Sequence, residues 1–120
     1  NDSCILFIQK DSSTGKFAIR SYSMQNHCVT SLLTCNYDIW DIAISPSNKY
    51  IAFAGNESGN WDIFLYDIEN KTIRKLTNSQ GNEWDPAFGS SDSEIWFAGT
   101  SGINNGIFYL TLDDTIIDYN

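Results

Sequence analysis

Apolar residues in this chain come in short runs bounded by turn-forming residues, and no segment keeps a sustained 3.6-residue period. That pattern predicts strands and almost no helix. Three strands are expected first, at Cys4–Gln9, Lys16–Tyr22 and Cys28–Thr34. Four follow at Ile39–Ser45, Lys49–Ala54, Asp62–Ile68 and Thr72–Asn78, and four more at Glu83–Phe88, Glu94–Ala98, Gly106–Leu112 and Thr115–Tyr119. In Ile63-Phe64-Leu65-Tyr66 and Ile107-Phe108-Tyr109-Leu110 both faces are apolar or aromatic. A strand with one wet face alternates instead, so both faces of these strands are expected to be covered. Thr72-Ile73-Arg74-Lys75-Leu76 mixes cations into its run, which suits an outer edge strand guarded against pairing with another chain.

The runs recur. Trp40 to Gly55, WDIAISPSNKYIAFAG, is echoed by Trp84 to Gly99, WDPAFGSSDSEIWFAG, 44 residues further on. Phe53 and Phe97 are also 44 apart, Phe7 and Phe53 are 46 apart, and Phe17, Ile63 and Ile107 each follow their phenylalanine by ten. A fixed period of this length marks a repeat architecture. With strands covered on both faces and charged outer strands, the repeat reads as four-stranded sheets stacked face to face around an axis. The expected fold is all-β: a β-propeller arc of about three four-stranded antiparallel blades, at 1–36, 37–80 and 81–120. The first blade lacks its first strand. A β-sandwich also uses short strands and frequent turns, but it does not explain the matching Trp and Phe landmarks. An arc of this size leaves two apolar blade faces exposed, so the remaining blades are expected from a longer parent chain or a second copy. Two copies would fall short of six full blades by one strand each, which favours the parent chain.

The stretches Ser45-Pro46-Ser47-Asn48-Lys49-Tyr50-Ile51-Ala52-Phe53, Ser58-Gly59-Asn60-Trp61-Asp62-Ile63-Phe64, Leu76-Thr77 and Trp84-Asp85-Pro86-Ala87-Phe88 resemble the WD-like repeats of TolB-type β-propellers. In that family a Ser-Pro-Asp-Gly turn precedes the second strand. Here the turn is Ser-Pro-Ser-Asn in one unit and Gly-Ser-Ser-Asp in the next, a degenerate match. The resemblance implies a fold more than an activity. Such propellers occur in periplasmic TolB, which binds other envelope proteins, and as gating domains beside the hydrolase domain of prolyl oligopeptidase-like enzymes. It therefore implies a non-catalytic module that binds protein or peptide, with a periplasmic or extracellular location. The alternative is an accessory propeller of a larger peptidase or carbohydrate-active enzyme.

Composition narrows the partners. A net charge of −8 repels nucleic acid and anionic membranes, so neither is expected as a partner. No apolar run approaches the roughly 20 residues of a membrane span, and no signal peptide opens the sequence. Opening on Asn1 rather than Met, the chain reads as processed or cut from something longer. Cys4, Cys28 and Cys35 are odd in number. Along one strand at ~3.3 Å per residue, Cys28 and Cys35 would stand about 23 Å apart, far beyond the roughly 7 Å a disulfide spans. Buried thiols are expected.

Chemistry is sparse. His27 is the single histidine and falls in a turn, and no Gly-x-Ser-x-Gly elbow accompanies it, so a serine triad is not expected. There is no Cys-x-x-Cys for zinc, no phosphate loop and no calcium-loop spacing, so no metal and no cofactor is expected. Asp113-Asp114 reads as a turn. Binding remains. Because strands alternate up and down, the loops Cys35–Asp38, Gly55–Trp61, Asn78–Glu83 and Gly99–Asn105 should emerge at one end of the arc. They carry Asp38, Asn56, Glu57, Asn60, Trp61, Gln80, Asn82, Glu83, Asn104 and Asn105. Loops on a rigid scaffold often carry function, so this acidic, amide-rich end is the expected partner face. Trp40, Trp61 and Trp84 are expected as packing anchors between blades.

Overall fold

A computed structural model describes residues 3–101 and 104–112, which form strands, turns and loops with no helix among them. The chain divides after Ile39 into two compact units. The first holds β1 (Cys4–Lys10), β2 (Phe17–Ser23) and β3 (Val29–Cys35), paired antiparallel in that order. The β1–β2 register sets Ile8 opposite Ile19 and Phe7 opposite Arg20. Its connecting turn is tied by Asp11, which accepts from the Ser13 amide at 2.9 Å and hydroxyl at 2.7 Å. Those two bonds, the hydroxyl first, hold the Asp11 carboxyl below its ordinary pKa.

The second unit contains two sheets. One runs β4 (Ile39–Ile44), β5 (Tyr50–Gly55), β6 (Asp62–Asp67) and β7 (Thr72–Lys75), with β7 at the edge as its cations suggest. The other runs β8 (Glu83–Phe88), β9 (Glu94–Ser101) and β10 (Asn104–Thr111). The expected strand at Thr115–Tyr119 and the Asp113-Asp114 turn lie outside the described residues.

Three element ends differ from expectation by more than one residue. Strands β9 and β10 run on past Ala98, because Gly99 pairs with Gly106 and Thr100 with Asn105. Most of the expected Gly99–Asn105 loop is therefore ladder. Strand β7 stops at Lys75 instead of Asn78. There the Thr77 side chain takes over from the backbone, its Oγ1 accepting from the Ile63 amide at 2.9 Å.

The two sheets of the second unit share one core. Ala52, Ala54, Ile63, Leu65 and Leu76 meet Ile95, Phe97, Phe108 and Leu110, with Trp61, Trp84 and Phe88 packed around them. Each fully buried Leu, Ile or Phe contributes about 1.5–3 kcal/mol, and the Phe97 and Phe108 rings stack at 5.6 Å. On the other face of β5 and β6, Ile51, Phe53, Phe64 and Tyr66 are buried too, as their unbroken apolar run requires.

The apolar run of β10 is covered on one face only. Phe108 and Leu110 face the core, whereas Ile107 is 73% exposed. The expectation that both faces are covered therefore fails for this strand. Trp61 and Trp84 anchor packing as expected, but Trp40 is 62% exposed. Trp40 stands outside the core that Trp61 and Trp84 pack against. Cys35 is buried, while Cys4 and Cys28 are exposed, contrary to the expectation for all three.

The repeated Trp-Asp pair also has a backbone cause. Asp41 and Asp85 adopt φ of 56° and 55° inside β4 and β8. In β8 the ladder register slips between Trp84 and Ala87. Aspartate tolerates this left-handed conformation better than most residues, and Pro86 at the bulge gives up no needed ladder donor.

Candidate functional site

At the expected binding end of the second unit, the β5–β6 loop and the β7–β8 connection are laced together. Asn60 Nδ2 donates to the carbonyls of Ser79 at 3.3 Å and Gln80 at 2.9 Å. Asn82 Oδ1 accepts from the Trp61 amide at 2.9 Å, and the Asn82 amide donates to Thr100 Oγ1 at 3.0 Å. The backbone adds Glu83 N to Trp61 O at 2.8 Å and Thr100 N to Asn82 O at 2.8 Å. Gly81 lets these segments close up: a Cβ there would lie 1.6 Å from the Thr100 carbonyl oxygen.

Four of the expected contact residues are thereby given internal work. Asn60 and Asn82 spend their amides on the clasp, and Trp61 packs against the core. Glu83 is 4% exposed and cannot meet a partner as expected. It begins β8 in register with Gly99, a position turned toward the neighbouring sheet. Glu57 and Asn105 are exposed and Asn56 is half-buried. Asn104 opens β10; its side chain lies outside the description. Gln80 is exposed, and its carbonyl belongs to the clasp. Asp38 is exposed but belongs to the first unit.

Beneath the clasp lies a buried polar cluster that sequence reasoning missed. Asp62, fully buried at the start of β6, accepts from Ser58 Oγ at 3.0 Å and Thr77 Oγ1 at 3.4 Å, and pairs with Lys75 Nζ at 3.3 Å. Glu83 Oε2 accepts from Ser79 Oγ, while its Oε1 is buried with no hydrogen-bond partner. Burial chiefly pushes the Glu83 carboxyl above its ordinary pKa, and the neighbouring Asp62 carboxylate adds to the rise; the Ser79 bond and the nearby Thr77 hydroxyl pull the other way. The signal lies in Asp62-Ile63-Phe64 and Leu76-Thr77, which read in sequence as repeat markers and not as a bonded pair.

A second carboxyl pair sits on the first strands of the two sheets. The Asp85 amide donates to Asp41 Oδ2 at 3.2 Å. Burial raises the Asp41 pKa most, the Asp85 amide opposes this, and the Asp85 charge adds to the rise.

At the opposite end, the Ser47 amide and hydroxyl both donate to Asp92, the amide at 3.0 Å. The hydroxyl bond first, then the amide, holds the Asp92 carboxyl low. A cavity of about 410 Å³ opens there beside Lys49, Asp67, Arg74 and Asp92, whose charges balance one another. His27 lies in an exposed turn of the first unit, its Nδ1 3.0 Å from the Tyr22 hydroxyl. Among the described residues no group of three or more His, Cys, Asp or Glu is placed to hold a metal.

The comparisons bear on the fold. No family model and no characterised protein matches the sequence. Solved structures do match. A putative TolB from Agrobacterium tumefaciens superposes with a TM-score of 0.78 at 14% identity, over 96% of this chain and 44% of its own. TolB from Acinetobacter baumannii gives 0.76 at 12% identity, over 94% of this chain and 31% of its own. The β-propeller domain of the Trilobed protease from Pyrococcus furiosus gives 0.69 at 12%, over 97% and 39%. The chain thus has the fold of a TolB-like β-propeller and spans less than half the length of these structures.

Proposed function

We propose that this chain is part of a non-catalytic β-propeller that binds protein or peptide at its clasped loop end. The carrying observation is that Glu57 and Asn105 stand exposed on segments tied down by Asn60, Asn82 and Gly81. Side chains held this way meet a partner with little ordering cost. The net charge of −8 favours a basic partner. A periplasmic or extracellular location belongs to the same proposal and rests on the likeness to TolB.

A phage-displayed random peptide library panned on the chain tests this. Enriched peptides should be basic, and Glu57→Lys with Asn105→Ala should weaken them on the order of tenfold without lowering Tm. Unchanged affinity refutes the site. The second reading, an accessory propeller of a larger peptidase, is favoured by the match to a propeller domain of a protease. A nucleophile-elbow motif in adjoining coding sequence would support it.

A further inference from the structure

Inside the second unit, the packing of one sheet on the next shows what each face is built to meet. Ala52, Ala54, Ile63 and Leu65 of the second sheet share a core with Ile95, Phe97, Phe108 and Leu110 of the third. One repeat of 44 residues beyond the first set stand Trp96, Ala98, Ile107 and Tyr109, which form the far face of the third sheet. Trp96 is 44% exposed, and its ring meets that of Tyr109 at 4.7 Å. Glu94 lies on the same face, accepting from Trp96 Nε1 at 3.3 Å and the Tyr109 hydroxyl at 3.5 Å.

Counting the second set back by the repeats of 44 and 46 residues leads to Ile5, Phe7, Ala18 and Arg20 on one face of the first sheet. Ala18 stands where the other sheets carry Phe64 and Phe108. A cavity of about 390 Å³ opens beside it, lined also by Lys10, Lys16 and Arg20. The Arg20 Nε is buried with no hydrogen-bond partner.

The two faces complement each other in size, and Arg20 on one and Glu94 on the other carry opposite charges. Trp96 and Tyr109 are large where the second sheet has Ala52 and Leu65, and Ala18 is small where the third has Phe108.

We propose that a second copy of this chain docks head to tail, with the Trp96–Ile107–Tyr109 face of one copy against the Ile5–Phe7–Ala18–Arg20 face of the other. Trp96 fills the cavity beside Ala18, and Glu94 pairs with Arg20 across the contact. The contact is heterologous, and it forms a closed ring if the rotation closes. Further blades of a longer chain would meet each face separately and would not require the two end faces to match each other. The proposal rests on the propeller fold and is independent of binding at the loop end.

Light scattering across a concentration series tests it. The wild-type chain should associate to twice 13.5 kDa. Arg20→Glu and Glu94→Arg should each weaken association on the order of tenfold or more, by setting like charges together. Mixing the two variants should restore it, since every contact then joins opposite charges. Unchanged circular dichroism and Tm of each variant separate lost docking from lost folding. A mass series beyond the dimer, broken by each variant and restored on mixing, also supports the contact. A wild-type monomer at every concentration, or a mixture no better than the separate variants, overturns it.

Discussion

Glu83→Gln should stabilise the protein at neutral pH, and the size of the effect follows from the hydrogen bonds. The donors around the buried cluster are committed. Ser58, Thr77 and Lys75 reach Asp62, and Ser79 reaches Glu83, leaving Glu83 Oε1 with none. A buried acceptor without a partner costs about 1–3 kcal/mol, more when it is charged. Glutamine keeps an acceptor for Ser79, removes the charge facing Asp62 and supplies an amide that can donate to it. A gain of about 1–2 kcal/mol is expected at pH 7, or about 3–8 °C in Tm for a chain of this length.

The pH dependence has a definite sign. Burial raises the folded-state pKa of Glu83, so the folded chain holds this proton more tightly than the unfolded one. Its contribution to stability is greatest below the ordinary value of 4.5 and is lost as pH rises through the elevated folded value. Asp11, Asp67 and Asp92, whose folded pKa values are depressed, act oppositely: their contributions are lost as pH falls through those values. The difference between wild type and Glu83→Gln isolates the one group. Denaturant unfolding of both proteins from about pH 4 to about pH 8 should show the curves converging on the acid side and separating above it. A variant less stable than wild type at pH 7, or parallel curves throughout, would refute the reasoning.

Two further outcomes follow from backbone geometry. Gly81→Ala forces a methyl against the Thr100 carbonyl and should cost about 1–3 kcal/mol in denaturant unfolding; a loss below the error would mean the clasp is loose. Asp85→Asn keeps a residue that tolerates φ of 55° but removes its charge, so the Asp41 pKa, followed by NMR titration, should fall toward its ordinary value while stability holds. An unmoved Asp41 titration would show that burial alone sets its pKa.

Much of the fold was legible because strand chemistry is local. Alternation, turn residues and matched aromatic landmarks placed all ten described strands to within a few residues. Errors arose where a non-local bond decided the outcome. The Thr77 hydroxyl ends β7 early, and the Gly99–Gly106 pairing lengthens β9 and β10. The candidate site was less legible. Polar residues between strands look alike in sequence whether they face water or lace two loops together. Asn60 and Asn82 are therefore clasp residues, while Glu57 remains exposed.

By itself the sequence determined that the chain is a strand repeat with a 44-residue period, because periodicity and turn chemistry are written in neighbouring residues. Only the tertiary structure decided which apolar faces are covered, that Glu83 and Asp62 share a dry cluster, and that Arg20 borders a cavity. Those outcomes depend on which residues far apart in sequence come within a few ångströms of each other. Burial and pairing arise only after the sheets have stacked.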